Sequence, residues 1–335
     1  MLQCPWCGAF YDDSELSELD HAKDGSGVWC DCCDSFCFFE KSKAARHRMS
    51  LLLERGGASA EMRVPATPSY RLRKHLSPLR YPGGKSRVID SIFVRLQRDK
   101  MDCFVEVFAG GASLGLSLLD SGCIGKLVLN DVDRQVYLFW RSVLESPGYL
   151  LSRLERAALP THKDFWEAKE AIAAFQQGDA VPEDWVAWSF FLLNRLTYSG
   201  IQMAHPMGGK HGSQQQLLSR WNPKELQSRI LHIHQMADKI ELHNLDCCAF
   251  LEQLAAWYPR CTLFCDPPYY VKGPLLYPTA FSAVDHERLA YLLNDLYRGF
   301  DGPDIILTYD DAPEVRELYP YATIEHLNRA YSIAN

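Results

Sequence analysis

The chain has no long apolar run. Its longest, Trp185 to Leu193, covers nine residues and includes Ser189. A bilayer span needs about 20, so this segment reads as a buried helix and no transmembrane segment is expected. The opening Met1-Leu2-Gln3-Cys4-Pro5 carries neither a basic stretch nor an apolar core, so no signal peptide is legible and a cytoplasmic protein is expected. An excess of basic charge is also missing, and a net charge of −7 argues against a general polyanion binder. There is no internal repeat. Nor is there a true phosphate loop: Tyr81-Pro82-Gly83-Gly84-Lys85-Ser86 echoes one, but the leading glycine that the pattern requires falls on Leu79, which excludes an ATPase reading.

What is present is an ordinary globular composition over 335 residues, 47% hydrophobic and 23% charged, which excludes wholesale disorder. At about 150 residues per domain, two domains with a small appendage are expected. The charge is unevenly spread. Residues 1–40 hold nine Asp/Glu against one Lys, and residues 41–87 hold twelve Lys/Arg against two Glu. The basic block reads either as a solvated linker or as a phosphate-contacting arm, because Lys and Arg release counterions from nucleic acid. Of twelve cysteines, six lie in the first 37 residues and six are scattered through apolar segments. That is the pattern of a reduced protein with one metal site and several buried thiols.

Residues 1–40 read as a compact Cys-rich unit and residues 41–75 as a basic linker with Gly, Ser and Pro. From about Leu76 short apolar strands alternate with helices: Cys103–Phe108, Lys126–Asn130, Lys239–His243, Thr262–Cys265 and Asp304–Thr308 read as strands, and Ser113–Asp120 as a helix. This predicts an α/β fold with a mostly parallel sheet covered on both faces. Residues 141–237 show no strand pattern and read as a helical insertion, with helices at Trp185–Leu196 and Pro223–Asp238, between the α/β segments 76–140 and 238–335.

Three motifs carry chemistry. Cys4-Pro5-Trp6-Cys7 and Cys30-Asp31-Cys32-Cys33 form CxxC–x22–CxxC, a spacing that brings Cys4, Cys7, Cys30 and Cys33 within tetrahedral reach of one structural Zn²⁺. Cys32 and Cys37 are spare, so a Cys33–Cys37 register stays open. Phe104 to Ser113 is a strand running into Phe108-Ala109-Gly110-Gly111, a turn whose glycines admit a ligand where a Cβ would collide. Twenty residues past Gly111 lies Asp131, placed to take the hydroxyls of a ribose. A full GxGxxG is absent, so a nucleoside ligand rather than a dinucleotide is expected. Leu263-Phe264-Cys265-Asp266-Pro267-Pro268-Tyr269-Tyr270 is the sharpest element, a buried strand ending in an acid, two prolines and two aromatics. The prolines remove two backbone donors and free carbonyls as acceptors. Asp266 and such a carbonyl can accept the hydrogens of an exocyclic amino group while Tyr269 stacks on its ring, which suits methyl transfer to a conjugated nitrogen.

Together these residues resemble the Dam-like DNA adenine-N6 methyltransferases over about residues 76–335. The likeness rests on Arg80-Tyr81-Pro82-Gly83-Gly84-Lys85, Val105–Gly111, Asn194-Arg195 with Tyr198-Ser199-Gly200, and Asp266-Pro267-Pro268-Tyr269. Tyr270–Tyr277, Asp285-His286 and Thr308-Tyr309-Asp310 are similar to later segments of the family. The resemblance implies a Rossmann-like sheet, S-adenosylmethionine as methyl donor and double-stranded DNA as substrate with a flipped adenine. By the same resemblance Tyr81, Gly83, Gly84 and Lys85 lie along the cofactor, and Glu106, Phe108, Ala109 and Gly110 hold its methionine end. Asp131 takes the ribose. Asp246 sits where the family contacts the adenine ring, or else serves as a helix N-cap. The insertion becomes the target-recognition region, with Asn194, Arg195, Tyr198, Lys210 and Arg220 toward DNA. Residues 195–229 carry five Lys/Arg against one Glu. The Cys-rich unit and basic block lie outside the family core and suggest contact with DNA or with a restriction, phage or host partner. The chain stops at Asn335, where family members usually continue with a further strand, so completion of the sheet is an open point. N4-cytosine methylation more often carries Ser in place of Asp266. A non-catalytic DNA-binding regulator on the same fold is the alternative from another class.

Overall fold

The computed structural model describes residues 2–3, 10–11, 27–29, 36–38, 49–56, 72, 75–81, 85, 88–96, 102–156, 159–200, 204–257, 261–271, 273, 281–298 and 303–329. No helix among them is long and apolar enough to cross a membrane. Near the amino terminus Leu2–Gln3 (β1) pairs antiparallel with Phe10–Tyr11 (β2), and Gly27–Trp29 (β3) with Phe36–Phe38 (β4). Cys4, Cys7, Cys30 and Cys33 lie outside the described residues.

Seven strands build one sheet: Met49–Gly56 (β5), Cys103–Glu106 (β6), Lys126–Asn130 (β7), Ile240–His243 (β8), Thr262–Cys265 (β9), Asp304–Asp310 (β10) and Thr323–Arg329 (β11). Their order is β11-β5-β10-β9-β6-β7-β8, and every pairing is parallel. Parallel strands are covered on both faces, and β6, β9 and β10 are accordingly buried along their whole length. Alternate residues serve opposite layers. Leu52, Phe104, Leu127 and Phe264 face one core. Leu51, Leu53, Val105, Val128 and Leu263 face the other.

The first layer holds Ile89–Phe93 (α1), Ser113–Asp120 (α2), Arg134–Glu145 (α3), Gly148–Arg156 (α4), His162–Gln176 (α5), Glu183–Leu196 (α6), Gln214–Leu217 (α7) and Pro223–His234 (α8). The second holds Cys247–Trp257 (α9), Ala283–Arg298 (α10) and Pro313–Leu318 (α11). The apolar run in α6 is a buried helix, with Trp188, Phe191 and Leu193 at the centre of the first core. Local signals set the ends. Thr161 and Asp164 form a capping box at α5, and Asn222 with Pro223 starts α8. The described thiols are unbridged, five of the six buried.

Three expectations change. Residues 49–56 are no linker: β5 lies inside the sheet, and Met49, Leu51, Leu52 and Leu53 are at most 2% exposed. The flanking basic charge conceals a short apolar run. The open place in the sheet is taken by this strand, between β10 and β11, so the seven-stranded sheet is reached without a strand beyond Asn335. The helices of the insertion begin at Arg134, and they share one continuous apolar core with a face of the sheet.

Candidate active site

The order in which the chain adds strands to the sheet reverses between β6 and β9. The chain steps from β6 outward to β7 and β8, and from β9 outward to β10. Loops leaving the carboxyl ends of β6 and β9 therefore part, and a crevice opens between them, the usual place for a ligand in such a sheet. A cavity of about 250 Å³ lies there.

One wall comes from a single stretch of chain. Glu106 closes β6, and its Oε1 accepts the Gly115 amide at 2.5 Å. Gly110 has φ +44°, and a Cβ there would meet the Tyr81 ring at 2.9 Å. Trp140 Nε1 donates to the Gly110 carbonyl at 2.9 Å and pins the turn. Asp131 accepts the Gly110 amide (2.8 Å) and the Asp133 amide (2.9 Å), one on each oxygen. Glu106 and Asp131 are buried, at 3% and 8% exposure. Burial pushes Glu106 up to about 8. Burial and then Asp133 push Asp131 up to about 7. Asp246 does both things expected of it in alternative: its Oδ1 caps α9 through the Cys248 and Ala249 amides, and it lines the cavity.

Of the residues expected on the cofactor, Tyr81, Lys85, Glu106, Phe108, Ala109, Gly110, Gly111, Asp131 and Asp246 all line this one cavity. Pro82, Gly83 and Gly84 lie outside the described residues. Phe281 and Asp285 also line it, and Phe281 meets the Phe108 ring edge-on at 5.7 Å. Neither was assigned a role, because the sequence gives no spacing that ties residue 281 to residue 108.

The other wall is assembled from distant segments. Asp266 leaves the end of β9, where Pro267 and Pro268 cannot continue the ladder. Its Oδ2 accepts from Lys85 Nζ at 2.6 Å, and its Oδ1 accepts from Thr308 Oγ1 at 2.5 Å. Lys85 Nζ also donates to the Tyr269 hydroxyl at 3.1 Å and sits 5.3 Å from its ring centre. Tyr269 is only 3% exposed, so its ring is covered rather than open for stacking. Asp310 accepts the amides of Tyr270 (2.9 Å) and Val271 (3.0 Å), fixing the chain just past the motif. On the opposite face of β10, the Tyr309 hydroxyl is 2.8 Å from Nδ1 of buried His286. Burial lowers the His286 pKa.

The expected DNA-facing residues divide. Asn194 is a correction: it is 1% exposed, and its side chain pairs with both the amide (2.8 Å) and the carbonyl (2.6 Å) of Arg80. It clamps the segment that leads to Tyr81 instead of facing DNA. The adjoining Gly200, at φ +78°, is required because a Cβ would lie 2.0 Å from the Arg80 carbonyl. Arg195 is half-buried, and burial, then Arg80 and Arg229, bring it down to about 10. Its guanidinium binds the carbonyls of Pro78 and Arg220. Tyr198, Lys210 and Arg220 are exposed.

A parallel α/β sheet with a cavity at its reversal, a glycine turn over two buried carboxyls, and an Asp-Pro-Pro-Tyr turn beside it define a methyltransferase-like fold. The D12 class N6 adenine-specific DNA methyltransferase family matches residues 81–333, and the chain belongs to that family. It is thus a DNA adenine-N6 methyltransferase that uses S-adenosylmethionine. No curated protein matches the chain. The cavity suits the donor: two buried carboxyls sit among Phe108, Phe264 and Phe281, a setting for a ligand that is cationic at one end and aromatic at the other.

Proposed function

We propose that Asp266 is the acceptor group for the adenine amino hydrogens, working with the free carbonyl that the prolines leave. The carrying observation is that Asp266 lies at the cavity that holds the expected cofactor residues, with two donors already aimed at its two oxygens. S-adenosylmethionine supplies an electrophilic methyl group when bound. Lys85 must yield Oδ2 for the amino group to take its place, and stacking on Tyr269 requires that its buried ring be uncovered as the base enters. As N6 forms its bond to the methyl carbon, the donor's sulfur–methyl bond would break and leave the neutral thioether S-adenosylhomocysteine; the positive charge growing on nitrogen is stabilised by the Asp266 carboxylate, which accepts the proton and passes it to solvent. Glu106 and the Phe108–Gly111 turn hold the methionine end, and Asp131 takes the ribose through the lone pairs its two amide contacts leave. Exposed Tyr198, Lys210 and Arg220, with Arg195 bonded to the Arg220 carbonyl, are the side chains proposed to meet the DNA; the positive charge of Lys210 and Arg220 favours phosphate contact. Duplex DNA incubated with enzyme and donor, digested to nucleosides and read by mass spectrometry, should yield N6-methyladenine. N4-methylcytosine in its place would overturn the acceptor assignment, and tight DNA binding with no methylated base would favour a regulator.

The amino-terminal unit is proposed as a zinc ribbon held by Cys4, Cys7, Cys30 and Cys33. What supports this is that each CxxC pair falls between two paired strands, β1 with β2 and β3 with β4. Its role is to tether the enzyme to DNA, or to a restriction, phage or host partner. Elemental analysis should find one zinc per chain, reduced in Cys4→Ser. A chain lacking residues 1–40 that keeps full DNA affinity and salt dependence would leave a protein partner as the reading.

A further inference from the structure

Strand β10 runs past the end of its neighbour. Its pairing with β9 stops at Leu307↔Cys265, because the two prolines that follow Asp266 offer no amide. On its other side the pairing continues, Thr308↔Leu52 and Asp310↔Glu54, so β5 keeps residues 308–310 extended after β9 has left. Two residues apart on an extended strand, Thr308 and Asp310 point to the same face. Both reach the catalytic turn: Thr308 Oγ1 donates to Asp266 Oδ1 at 2.5 Å, and Asp310 holds the Tyr270 and Val271 amides. Thr308 is wholly buried. Tyr309, between them, faces away to His286.

We propose that Thr308 is a positioning residue for methyl transfer: it occupies Asp266 Oδ1, so that only Oδ2 is offered to the amino group, and it favours the ionised acceptor form of the carboxylate. A carboxylate with two free oxygens can rotate and accept in more than one geometry. One held by a buried hydroxyl on a rigid strand presents a single lone-pair direction, which preorganises the site for the charge that develops on nitrogen. The donor on Oδ1 stays while the donor on Oδ2, the Lys85 ammonium, gives way.

The inference rests on Asp266 as the acceptor, so Asp266→Asn is measured alongside. Among the described residues, the groups that face this carboxylate include Lys85, which also holds the Tyr269 hydroxyl, Glu106 on β6, Cys265 on β9 and Thr308 itself. Thr308→Val keeps the shape and removes the hydroxyl. It should lower kcat by about tenfold to a hundredfold, the scale of a hydrogen bond to a charged group, and raise the acid limb of the kcat–pH profile. Donor affinity by calorimetry should stay within about twofold, since the contacts expected on the donor lie on other strands. Thr308→Ser restores the hydroxyl and should recover most of kcat and the original limb. If the valine variant fails to bind donor and so has not folded, Thr308→Ala carries the same expectation. Wild-type kcat and pH profile in Thr308→Val, with Asp266→Asn inactive, would overturn the role of Thr308 alone. A serine variant as damaged as the valine one would also overturn it, by placing the effect in the methyl group. Full activity in Asp266→Asn would overturn the acceptor reading beneath both.

Discussion

The two walls of the cavity are built in opposite ways. The cofactor wall is built mainly from one run of chain, a strand end, a glycine turn, a helix start and the acid after the next strand within residues 106–133, joined by short local bonds, with Tyr81 and Asp246 added from outside it. The acceptor wall takes Asp266 from β9, Thr308 and Asp310 from β10, and Lys85 from a segment before the sheet's first central strand. Behind it stands β5, from a region the basic charge disguises. A locally built wall can survive changes elsewhere in the sheet. A wall gathered from four places depends on every strand that aligns them.

The sharpest test of that contrast is removal of β5. Burying its four apolar side chains contributes about 1.5–3 kcal/mol each, a sum on the order of the whole stability of a domain. A chain lacking residues 1–56 should therefore lose its cooperative thermal transition by circular dichroism, whereas one lacking residues 1–40 should keep it. A stable, donor-binding 57–335 fragment would show the strand to be dispensable.

Within a folded enzyme, Asp266→Ala should strike the acceptor wall alone. Loss of one preorganised electrostatic partner costs about 10²–10³ in kcat, with the dissociation constant of the donor by calorimetry nearly unchanged. Tyr269→Phe should be milder than Tyr269→Ala, which loses base stacking of about 1–3 kcal/mol. Equal losses in single-turnover rate would place the effect in the Tyr269 hydroxyl and its contact with Lys85.

Asp131→Ala should do the reverse and weaken donor binding about tenfold to a hundredfold, by loss of charge-assisted hydrogen bonds. Part of that loss will come from freeing the Gly110 amide. Unchanged affinity would remove Asp131 from the donor site.

The smallest effect concerns protons. Burial raises Glu106 to about 8 and Asp131 to about 7, so near neutrality the first is mostly and the second about half protonated before the donor binds. A cationic donor favours their ionised forms, so its binding releases protons and tightens as pH rises from about 6.5 to 8.5. The limiting slope is about tenfold per pH unit for each proton released. Calorimetry in buffers of different ionisation enthalpy measures that release directly, and a pH-independent affinity would show both carboxyls to be ionised already.

Legibility in the sequence followed the same division. Strands β6, β7, β8 and β9, helix α2 and the whole glycine turn could be read from apolar alternation and spacing, because the forces that shape them act within a few residues. Asp246 as an N-cap was readable for the same reason. Asn194 was placed on the wrong side, since nothing local says that its amide pairs with a backbone segment 114 residues away. Thr308 and Asp310 are legible only as part of a family segment, and their roles depend on β10 running on to Asp310 after its pairing with β9 has stopped at Leu307. β5 was hidden by averaging: twelve basic residues over 41–87 outweigh one short stretch, Met49-Ser50-Leu51-Leu52-Leu53.

That strand also sets a schedule for biogenesis. β5 leaves the ribosome early, yet its partners β10 and β11 lie about 250 residues later, a separation that makes closure of the sheet slow. Until they arrive, an apolar strand stands with both edges unpaired, the kind of segment chaperones shield and aggregates recruit. The half-sheet of β6, β7 and β8 can form before Thr308 has been synthesised. The cavity opens between β6 and β9 and so waits for the later strands, the last of which to emerge are those that align the acceptor.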